Sequence, residues 1–342
     1  MSSKLRTAVI GTGALGKEHA RIYAGLAAAG ELEFAGIYDE SPETAGRVAS
    51  KLGVTAFPSL QAAADAADAI SIVTPTHTHF ELAHLLLGQR KHVLIEKPMT
   101  DNAGQAAELV DLARQHDRVL QVGHVERFNP VFKYLQTVAT DPRFIETHRL
   151  SPFPARSTDI GVVLDLMIHD LDIVLAFVRS PVESVDAVGI PVLSRTEDIA
   201  NARIRFAKGC GANLTASRVS PERMRKIRVF SAGDMTSYVS LDYRAQEGYI
   251  YRIARDDEPE SSLLKKLLRS KDSTIVSEFA GRRVVREPVP IEKDEPLKLE
   301  LRSFVDCVRA RHSPLVTGEA ARLALELAFE ITRQIQQAPP VR

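Results

Sequence analysis

The sequence predicts an α/β domain with a parallel sheet, followed by an α+β domain with an open, largely antiparallel sheet. In the first third of the chain, short apolar runs alternate with amphipathic stretches, as in βαβ units. Beyond residue 123, strand-like runs follow one another with few helices between them. At 342 residues the chain is also too long for one small core. We therefore expect domains at residues 1–123 and 124–342, with the alternative that the terminal helices, 297–336, pack back on the first domain.

The charge balance and the cysteine content exclude several classes of protein. Lys plus Arg and Asp plus Glu number 44 each, without a basic tract, which argues against nucleic acid and anionic membranes as partners. Cys210 and Cys307 suit a reducing compartment and lack the spacing of metal ligands. The first strand begins within a few residues of Met1, and no apolar run approaches the ~20 residues that span a bilayer. We expect a cytoplasmic protein without a membrane partner.

The parallel sheet is predicted to have five strands with helices between them. The strands are Arg6–Ile10, Leu32–Tyr38, Ala69–Val73, His92–Ile95 and Val119–Gly123. The helices are Leu15–Ala28, Pro42–Leu52, Ser59–Ala67, Phe80–Leu87 and Ala103–Gln115. Because crossovers are right-handed, the carboxyl ends of these strands share one edge of the sheet, where such sheets bind ligands.

The first strand runs into Gly11-x-Gly13-x-x-Gly16 and then into a helix, the context in which this glycine pattern indicates dinucleotide binding. Gly11 allows a tight exit from the strand, Gly13 lets the backbone approach a pyrophosphate, and Gly16 lets the helix pack closely on the sheet. Ala14, Leu15 and the first helical turn then offer backbone N–H groups to the phosphates. The alternative is an ordinary turn.

Asp39 ends the second strand, about 20 residues beyond the glycine loop, where a carboxylate accepts hydrogen bonds from the adenosine ribose. A 2′-phosphate there would meet Asp39 and Glu40, with no basic residue before Arg47. This favours NAD over NADP. The alternative role of Asp39 is to end the strand or to cap the next helix.

Two further segments leave the same edge of the sheet. Thr74, Pro75, Thr76 and His79 follow the strand Ala69–Val73 and are expected to line the cofactor or cap the next helix. Glu96 and Lys97 follow the strand His92–Ile95 and are expected to contact the cofactor, and Lys97 is expected to face the ligand crevice. Pro98 fixes the local backbone, with a cis bond as one option. The alternative for Lys97 is a solvated strand end.

The second half begins with the segment Gly123–Pro130, where Arg127 and Asn129 are candidates for a substrate pocket. Arg127 has the alternative role of an interdomain ion pair. Helices are predicted at Pro130–Val138, Val163–Val178, Leu297–Ala310 and Glu319–Gln336. Strands are predicted at Phe144–Leu150, Val185–Ile190, Asn201–Phe206, Ala212–Arg218, Lys226–Ser231, Ser237–Asp242 and Tyr249–Arg255. The polar stretch Asp256–Ser273 is expected to be a mobile excursion.

The helix predicted over 163–178 carries a second polar cluster. On an α-helix, Asp165 and His169 stand at i and i+4 and Asp172 at i+7, so one face bears carboxylate, imidazole and carboxylate. Such a face can hold hydroxyl groups and move a proton. The alternatives are a core helix with a polar flank and a metal site. We expect no metal, because further His or Cys ligands are lacking.

Taken in order, these motifs resemble the Gfo/Idh/MocA oxidoreductase family over essentially the whole chain. The matching motifs are Gly11-x-Gly13-x-x-Gly16, Thr74-Pro75, Glu96-Lys97-Pro98 and Asp165-x-x-x-His169-x-x-Asp172. The resemblance implies an NAD-binding Rossmann domain and a second domain whose open sheet is often buried in a homodimer or homotetramer. It also implies hydride transfer on sugars, inositols or nucleotide sugars, with Lys97 beside the nicotinamide, His169 as acid/base and Asp165 one turn earlier. Met167, where many members have glycine, and Asp170 depart from the commoner pattern.

Two phrases, VGHVERFNP and DLMIHDLD, resemble the branch of this family that oxidises the 3-hydroxyl of UDP-N-acetylglucosamine. A nucleotide sugar needs cations for its diphosphate, and five arginines are available: Arg127, Arg149, Arg156, Arg218 and Arg225. Our hypothesis has His169 as the base and Lys97 as an orienting cation, with Arg127, Asn129 and Arg156 also binding the substrate. The alternatives are an enzyme for a free sugar or inositol and an NAD-sensing regulator without catalysis.

Overall fold

The computed structural model describes residues 4–139, 141–153, 160–232, 237–254, 274–279 and 282–338. The chain forms two compact units. The first unit comprises Met1–Phe128 and Glu295–Glu326, and the second comprises Asn129–Asp294 and Leu327–Arg342. The first segment of the first unit ends at Phe128, a few residues after the boundary expected at residue 123. Residues 295–326 also belong to the first unit. Among the described residues, no helix is both long and apolar enough to cross a membrane.

The first unit holds a five-stranded parallel sheet in the order β2-β1-β3-β4-β5. These strands are β1 Arg6–Ile10, β2 Glu33–Tyr38, β3 Ala69–Ile72, β4 His92–Glu96 and β5 Leu120–Gly123. The parallel sheet and its five strands are therefore confirmed, each with bounds within one residue of the prediction. Strands β1, β3, β4 and β5 are almost fully buried, as expected for a parallel sheet covered on both faces, whereas β2 is partly exposed.

Several of the α-helices of the first unit begin at side chains that cap them. Ser41 caps its helix through the Thr44 N–H, Pro42 occupies the first turn, and Gly53 ends the helix in the left-handed region with φ 67°. Asn102 caps another helix through the Gln105 N–H. The helices are α1 Gly16–Ala28, α2 Pro42–Leu52, α3 Leu60–Ala66, α4 His79–Gly88, α5 Ala103–Gln115, α6 Pro130–Val138, α7 Ile168–Val178, α8 Pro296–Ala310 and α9 Gly318–Gln337.

A single residue pair extends the parallel sheet beyond β2. Ala56 pairs with Ile37 in parallel, and the Ile37 N–H donates to the Thr55 carbonyl oxygen at 2.8 Å. Gly36 permits this approach, because a Cβ there would lie 2.3 Å from the same oxygen. With this pair counted as a strand, the sheet has the strand order of a dinucleotide-binding sheet, in which the third strand lies outside the second. One residue pair is too short to give a periodic signal in the sequence.

The core of the first unit joins the sheet to helices from both of its segments. Val9 and Ile37 from the sheet pack with Tyr23 of α1 and with Leu301 and Phe304 of α8. All five side chains are fully buried. The late helix α8 is therefore part of the same core as β1, and burial of its apolar face is the main term that stabilises it there.

The second unit holds a nine-stranded sheet in the order β13-β14-β12-β11-β10-β6-β9-β8-β7. Among the described strands of this sheet, only β6 and β9 pair in parallel, so the predicted open and largely antiparallel sheet is confirmed. Its strands are β6 Pro142–Leu150, β7 Val182–Ile190, β8 Ile199–Phe206, β9 Gly211–Ser217, β10 Met224–Ser231, β11 Ser237–Asp242, β12 Glu247–Ile253, β13 Thr274–Phe279 and β14 Arg282–Pro288.

The second unit differs from the prediction in two respects. Strands β13 and β14 lie in a stretch for which the sequence analysis predicted no element. The helix expected over 163–178 is α-helical only from Ile168, and Val163–Met167 forms a π-helical turn. The expected mobile excursion, Asp256–Ser273, falls outside the described residues.

Candidate functional site

The glycine loop has the geometry that a dinucleotide requires. Gly11 adopts φ 87°, and a Cβ there would lie 2.4 Å from the Val73 carbonyl oxygen. A Cβ on Gly16 would lie 1.9 Å from the Gly11 carbonyl oxygen, so the start of α1 packs directly on the loop. A Cβ on Gly13 would meet nothing within 4 Å. The loop is therefore closed towards the sheet and open at Gly13, where a pyrophosphate can approach the exposed backbone of Gly13, Ala14 and Leu15.

Asp39 accepts three hydrogen bonds, two of which hold it against this loop. Its Oδ2 accepts from the Thr12 backbone N–H at 2.7 Å and from the Thr12 hydroxyl at 2.9 Å. Its Oδ1 accepts from the Ser41 N–H at 3.0 Å. A carboxylate has about four acceptor positions, so it can still accept a hydrogen bond from a ribose hydroxyl. Together, the open Gly13 and the fixed Asp39 fit an NAD molecule.

The segment after β3 is tied to the segment after β4 by a buried histidine. His79 Nδ1 lies 2.9 Å from the Pro98 carbonyl oxygen, and His79 Nε2 lies 2.8 Å from the Thr74 carbonyl oxygen. Burial lowers the pKa of His79 and so favours the neutral ring, which can donate to only one of the two carbonyls at a time. The Thr78 hydroxyl meets Thr74 Oγ1 at 2.7 Å. Thr74, Pro75 and Thr76 thus lie at the predicted edge, while His79 contacts backbone on both sides.

Glu96 makes a buried contact with α1, the helix that follows the glycine loop. Its Oε1 lies 3.1 Å from Nε2 of His19 on α1, and the two side chains are 9% and 0% exposed. Gly123 leaves room for the Glu96 carboxylate, because a Cβ there would lie 2.6 Å from Oε1. The carboxylate accepts, so the proton of a neutral His19 belongs on Nε2. One carboxylate thus links the helix after the glycine loop with the ends of β4 and β5.

Lys97 follows this carboxylate directly and is half-buried. The Lys97–Pro98 peptide bond is cis, the option that the sequence left open. Lys97 thus leaves the same sheet edge as the glycine loop and Thr74, since β1, β3 and β4 are parallel neighbours. The first unit therefore gathers the predicted cofactor residues and Lys97 at one edge.

The segment that ends the first unit and begins the second has polar side chains bound to the backbone. Arg127 Nη2 donates to the Leu315 carbonyl oxygen at 3.1 Å. Asn129 caps α6 by accepting from the Val131 N–H at 3.1 Å, and it donates to the Tyr243 carbonyl oxygen at 3.0 Å. Asn129 is only 2% exposed. These two contacts of Asn129 lie within the second unit.

The polar cluster of the second unit differs from the expected row of side chains. Asp165 lies in the π-helical turn, whose i→i+5 hydrogen bonds widen the helix, so Asp165 and His169 do not stack as on a regular α-helix. The carbonyl oxygen and the carboxylate of Glu197 accept from Val162 and Val163 N–H groups and fix the start of this turn. Asp165 and His169 are half-buried, whereas Asp172 is 2% exposed.

Two of the candidate arginines are committed to buried ion pairs. Arg149 donates to both carboxylate oxygens of Asp170, at 3.0 and 2.9 Å, and joins β6 to α7. Arg218 donates to Asp198 at 2.7 Å, and both side chains are 0% exposed. Neither is available for a diphosphate. Arg225 is exposed on β10, and Arg156 lies outside the described residues.

Two residues that the sequence did not single out, Thr12 and His19, support the site. Thr12 is 2% exposed and His19 is 0% exposed. A histidine among the alanines and leucines of the first helix was the available signal, because a buried polar residue needs a partner. Within the described part of the chain, no three His, Cys, Asp or Glu side chains gather in a way that could hold a metal ion.

Two family models match this chain. Residues 5–124 match a model described as an oxidoreductase family with an NAD-binding Rossmann fold. Residues 138–234 match the GFO/IDH/MocA C-terminal domain. The first match covers the glycine loop, Asp39, Glu96 and Lys97, and the resemblance inferred from the motifs is confirmed.

Full-length relatives include sugar and inositol dehydrogenases. The chain is 35% identical to UDP-N-acetylglucosamine 3-dehydrogenase of Acidithiobacillus ferrooxidans over 96% of each chain. A solved structure of a protein of that name from the same organism matches with a TM-score of 0.84 and 34% identity, over 97% of this chain and 98% of that one. The chain is also 25% identical to a scyllo-inositol 2-dehydrogenase (NAD(+)) of Bacillus subtilis, over 100% of this chain and 97% of the other.

Proposed function

The chain belongs to the Gfo/Idh/MocA family of NAD-binding oxidoreductases, and we propose that it oxidises the 3-hydroxyl of a UDP-N-acetylhexosamine such as UDP-N-acetylglucosamine. The proposed substrate rests on the 35% identity to a UDP-N-acetylglucosamine 3-dehydrogenase over 96% of both chains. The reaction class has separate support, because Lys97 leaves the same sheet edge as the open glycine loop.

The cofactor roles follow from the first unit. The backbone N–H groups from Gly13 to Gly16 bind the pyrophosphate, and Asp39 accepts from the ribose hydroxyls. Asp39 also disfavours a 2′-phosphate, since its carboxylate is fixed beside the loop by Thr12. Thr74, Pro75 and Thr76 line the cofactor from the next strand.

The chemistry is divided among three side chains. Bound NAD supplies the acceptor for the hydride that leaves the sugar carbon. His169 accepts the hydroxyl proton, and Asp165 orients the substrate hydroxyls beside it. Lys97 hydrogen-bonds the same oxygen and stabilises the negative charge that develops there.

A substrate panel with site variants tests this proposal. Purified protein is incubated with NAD and UDP-N-acetylhexosamines, free sugars or inositols, and NADH absorbance is followed. We expect turnover with the UDP-sugars, and loss of turnover with intact NAD binding in Lys97→Met and His169→Asn. Lys51→Met, at an exposed lysine of α2, is the control and should keep full activity. Turnover of inositols alone would refute the substrate, and full activity in either site variant would refute its assignment.

We also propose that the nine-stranded sheet pairs with a second copy of the chain. Phe144, Phe230, Tyr238 and Tyr251 lie directly opposite one another on four neighbouring strands, with ring centroids 4.7 to 5.6 Å apart. Strand residues alternate between faces, so Phe144 lies on the face opposite to Arg149, which contacts α7. A half-exposed aromatic row of this kind favours association into a homodimer or homotetramer.

The proposal includes a cytoplasmic location. Cys210 and Cys307 are both buried free thiols, and burial raises the pKa of each, which keeps them protonated and unreactive. Reduced cysteines fit a reducing compartment.

A further inference from the structure

A basic cavity of about 290 Å³ lies in the first unit at the amino ends of β4 and β5. This is the edge of the sheet opposite to Glu96 and Gly123, which end the same two strands. The lining comes from the beginnings of these strands, the end of α5 and the connection between α8 and α9. The cofactor residues described above do not contribute to it.

The charges around this cavity are mostly positive. Three arginines and two histidines line it, against two acids: Arg114, Arg118, Arg311, His92 and His312, with Asp117 and Glu319. One of the acids is already neutralised, because Glu319 pairs with Arg322 at 2.6 Å. Arg114 pairs with the exposed Asp111 at 2.8 Å. Arg118 and Arg311 have no carboxylate partner among the described residues, so the cavity carries excess positive charge.

His92 shows that a hydrogen-bond acceptor is missing here. Its Nδ1 faces the Val119 backbone N–H at 3.0 Å, and its Nε2 faces Arg118 Nη1 at 3.2 Å. Both neighbours are donors. A neutral imidazole accepts at one nitrogen only, so one of the two contacts brings two donors together. The backbone N–H cannot turn away, so Nδ1 accepts from it and the proton of Nε2 points at the guanidinium.

Arg118 also lacks hydrogen-bond acceptors among the described residues. Its Nε is buried without a hydrogen-bond partner in the described structure, and Nη1 meets the donor side of His92. A hydrogen-bond acceptor, preferably a carboxylate or phosphate oxygen, normally stabilises a half-buried guanidinium. An anionic oxygen in the cavity would accept from both Arg118 and His92 Nε2 and would remove the contact between two donors.

We propose that this cavity binds a phosphate group, either as inorganic phosphate or as part of a small phosphorylated molecule. Arg118 and the His92 Nε2–H donate to the phosphate oxygens, and the exposed Arg311 supplies further charge. The cavity volume leaves room for an organic group attached to the phosphate. Because the cavity lies at the amino edge of the sheet, the ligand binds together with NAD and not in place of it.

Calorimetric titration of NAD-saturated protein with inorganic phosphate and with glucose 6-phosphate, at constant ionic strength, tests the proposal. Saturating NAD occupies the phosphate-binding glycine loop. We expect binding to the wild type, weakened about tenfold or more in Arg118→Gln, as for loss of a hydrogen bond to a charged group, and weakened less in Arg311→Gln, which removes an exposed charge. Arg143→Gln, at an exposed arginine of the second unit, removes the same charge and should bind like the wild type.

The two ligands distinguish the two sources of phosphate. Tighter binding of glucose 6-phosphate would identify an organic phosphate, and equal binding would identify the phosphate group alone as the ligand. A second measurement is the pKa of the His92 ring by NMR, assigned with His92→Gln, which phosphate should raise. The proposal fails if neither compound binds at millimolar concentration, or if Arg118→Gln and Arg311→Gln both bind as tightly as the wild type. Arg311 is exposed, so its variant remains a valid test if Arg118→Gln does not fold.

Discussion

Among single residues, the buried pair of His19 and Glu96 supports the cofactor site without belonging to the glycine pattern. The pair joins the helix after the loop to the strand that ends at Lys97, and Gly123 makes room for it. The sequence predicted Glu96 as a cofactor residue from its place after the strand. It did not predict His19, because helical periodicity places a residue on a face and does not say which polar partner that face meets.

Loss of His19 should weaken both cofactor binding and stability. His19→Ala leaves the buried Glu96 carboxylate without its donor, which costs about 1–3 kcal/mol of the free energy of unfolding. It also releases α1 from the end of β4, so the Kd for NAD should rise. His19→Gln keeps an N–H donor and should recover part of both losses. Urea unfolding and calorimetric titration with NAD measure the two effects.

A matched control is available at His84, which pairs with Glu108 at 3.3 Å on the surface. His84→Ala removes a pair whose partners are half-exposed, so the free energy of unfolding should change by less than about 1 kcal/mol. Equal stability and equal NAD affinity in His19→Ala and the wild type would contradict the role of the buried pair.

His92 should make stability fall in mildly acidic solution. Burial, with help from Arg118, lowers the pKa of His92 from 6.5 to about 4, while the carboxylates of Asp117 and Asp68 oppose the shift and Arg311 adds to it. As the pH falls below 6.5, the unfolded chain takes up a proton at this residue before the folded protein does. The contribution of His92 to stability is therefore complete above pH 6.5 and is lost between pH 6.5 and about 4.

Urea unfolding at about pH 7 and about pH 5, without phosphate, measures this loss. The wild type should lose more stability between the two values than His92→Gln, whose amide oxygen can still accept from the Val119 N–H. An equal loss in both proteins would show that other groups control the acid side of the stability curve.

For the secondary-structure elements, the regular ones were predictable and the irregular ones were not. The βα units of the first unit repeat strand, turn and helix signals, so β1 to β5 lie within one residue of the prediction. The π-helical turn at Val163–Met167 depends on the Glu197 carboxylate, which lies more than thirty residues further along the chain. The pairing of Ala56 with Ile37 depends on Gly36, whose missing Cβ admits the neighbouring backbone. Local patterns do not encode such contacts.

The helix α7, which carries His169, should depend strongly on its ion pair with β6. The side chains of Arg149 and Asp170 are 4% and 6% exposed. Arg149→Met leaves a buried carboxylate without its cation, and the free energy of unfolding should fall by about 3–5 kcal/mol. Urea denaturation measures the fall. The double variant Arg149→Met with Asp170→Leu should lose less than Arg149→Met alone, because no charge is left uncompensated.

The exposed pair of Arg143 and Asp141, 3.0 Å apart, is the control for this experiment. Arg143→Met should change the free energy of unfolding by less than about 1 kcal/mol, as for other surface pairs. If Arg149→Met were no more destabilising than Arg143→Met, the ion pair would not be what holds α7 on the sheet.

In the whole molecule, the two units are built on different sheets and have different proposed roles: the first binds the cofactor, and the second supplies His169 and Asp165. The parallel sheet and its cofactor edge were predicted from the glycine pattern, and the open antiparallel sheet from the succession of strands. Residues 295–326 join the first unit, although they follow the second along the chain. Amphipathic periodicity showed that α8 buries one face, but it does not identify the surface that the face covers.

The aromatic row on the nine-stranded sheet predicts the state of association. Phe230, 38% exposed at the centre of the row, contacts both Phe144 and Tyr238. Phe230→Glu places a charge in the proposed interface and should shift the protein towards monomer in light scattering. Leu85→Glu, at a leucine of α4 that is 42% exposed, is the control and should keep the wild-type mass. A wild-type protein that is monomeric at all concentrations would contradict the interface.

The central claim is the transfer of a hydride from carbon 3 of a UDP-N-acetylhexosamine to NAD. The most direct measurement uses UDP-N-acetylglucosamine carrying deuterium at carbon 3, with mass spectrometry of the reduced cofactor. We predict that the NADH formed carries the deuterium and that no label reaches it in His169→Asn or Lys97→Met. Reduced cofactor without deuterium, or no reduced cofactor with this substrate, would contradict the claim.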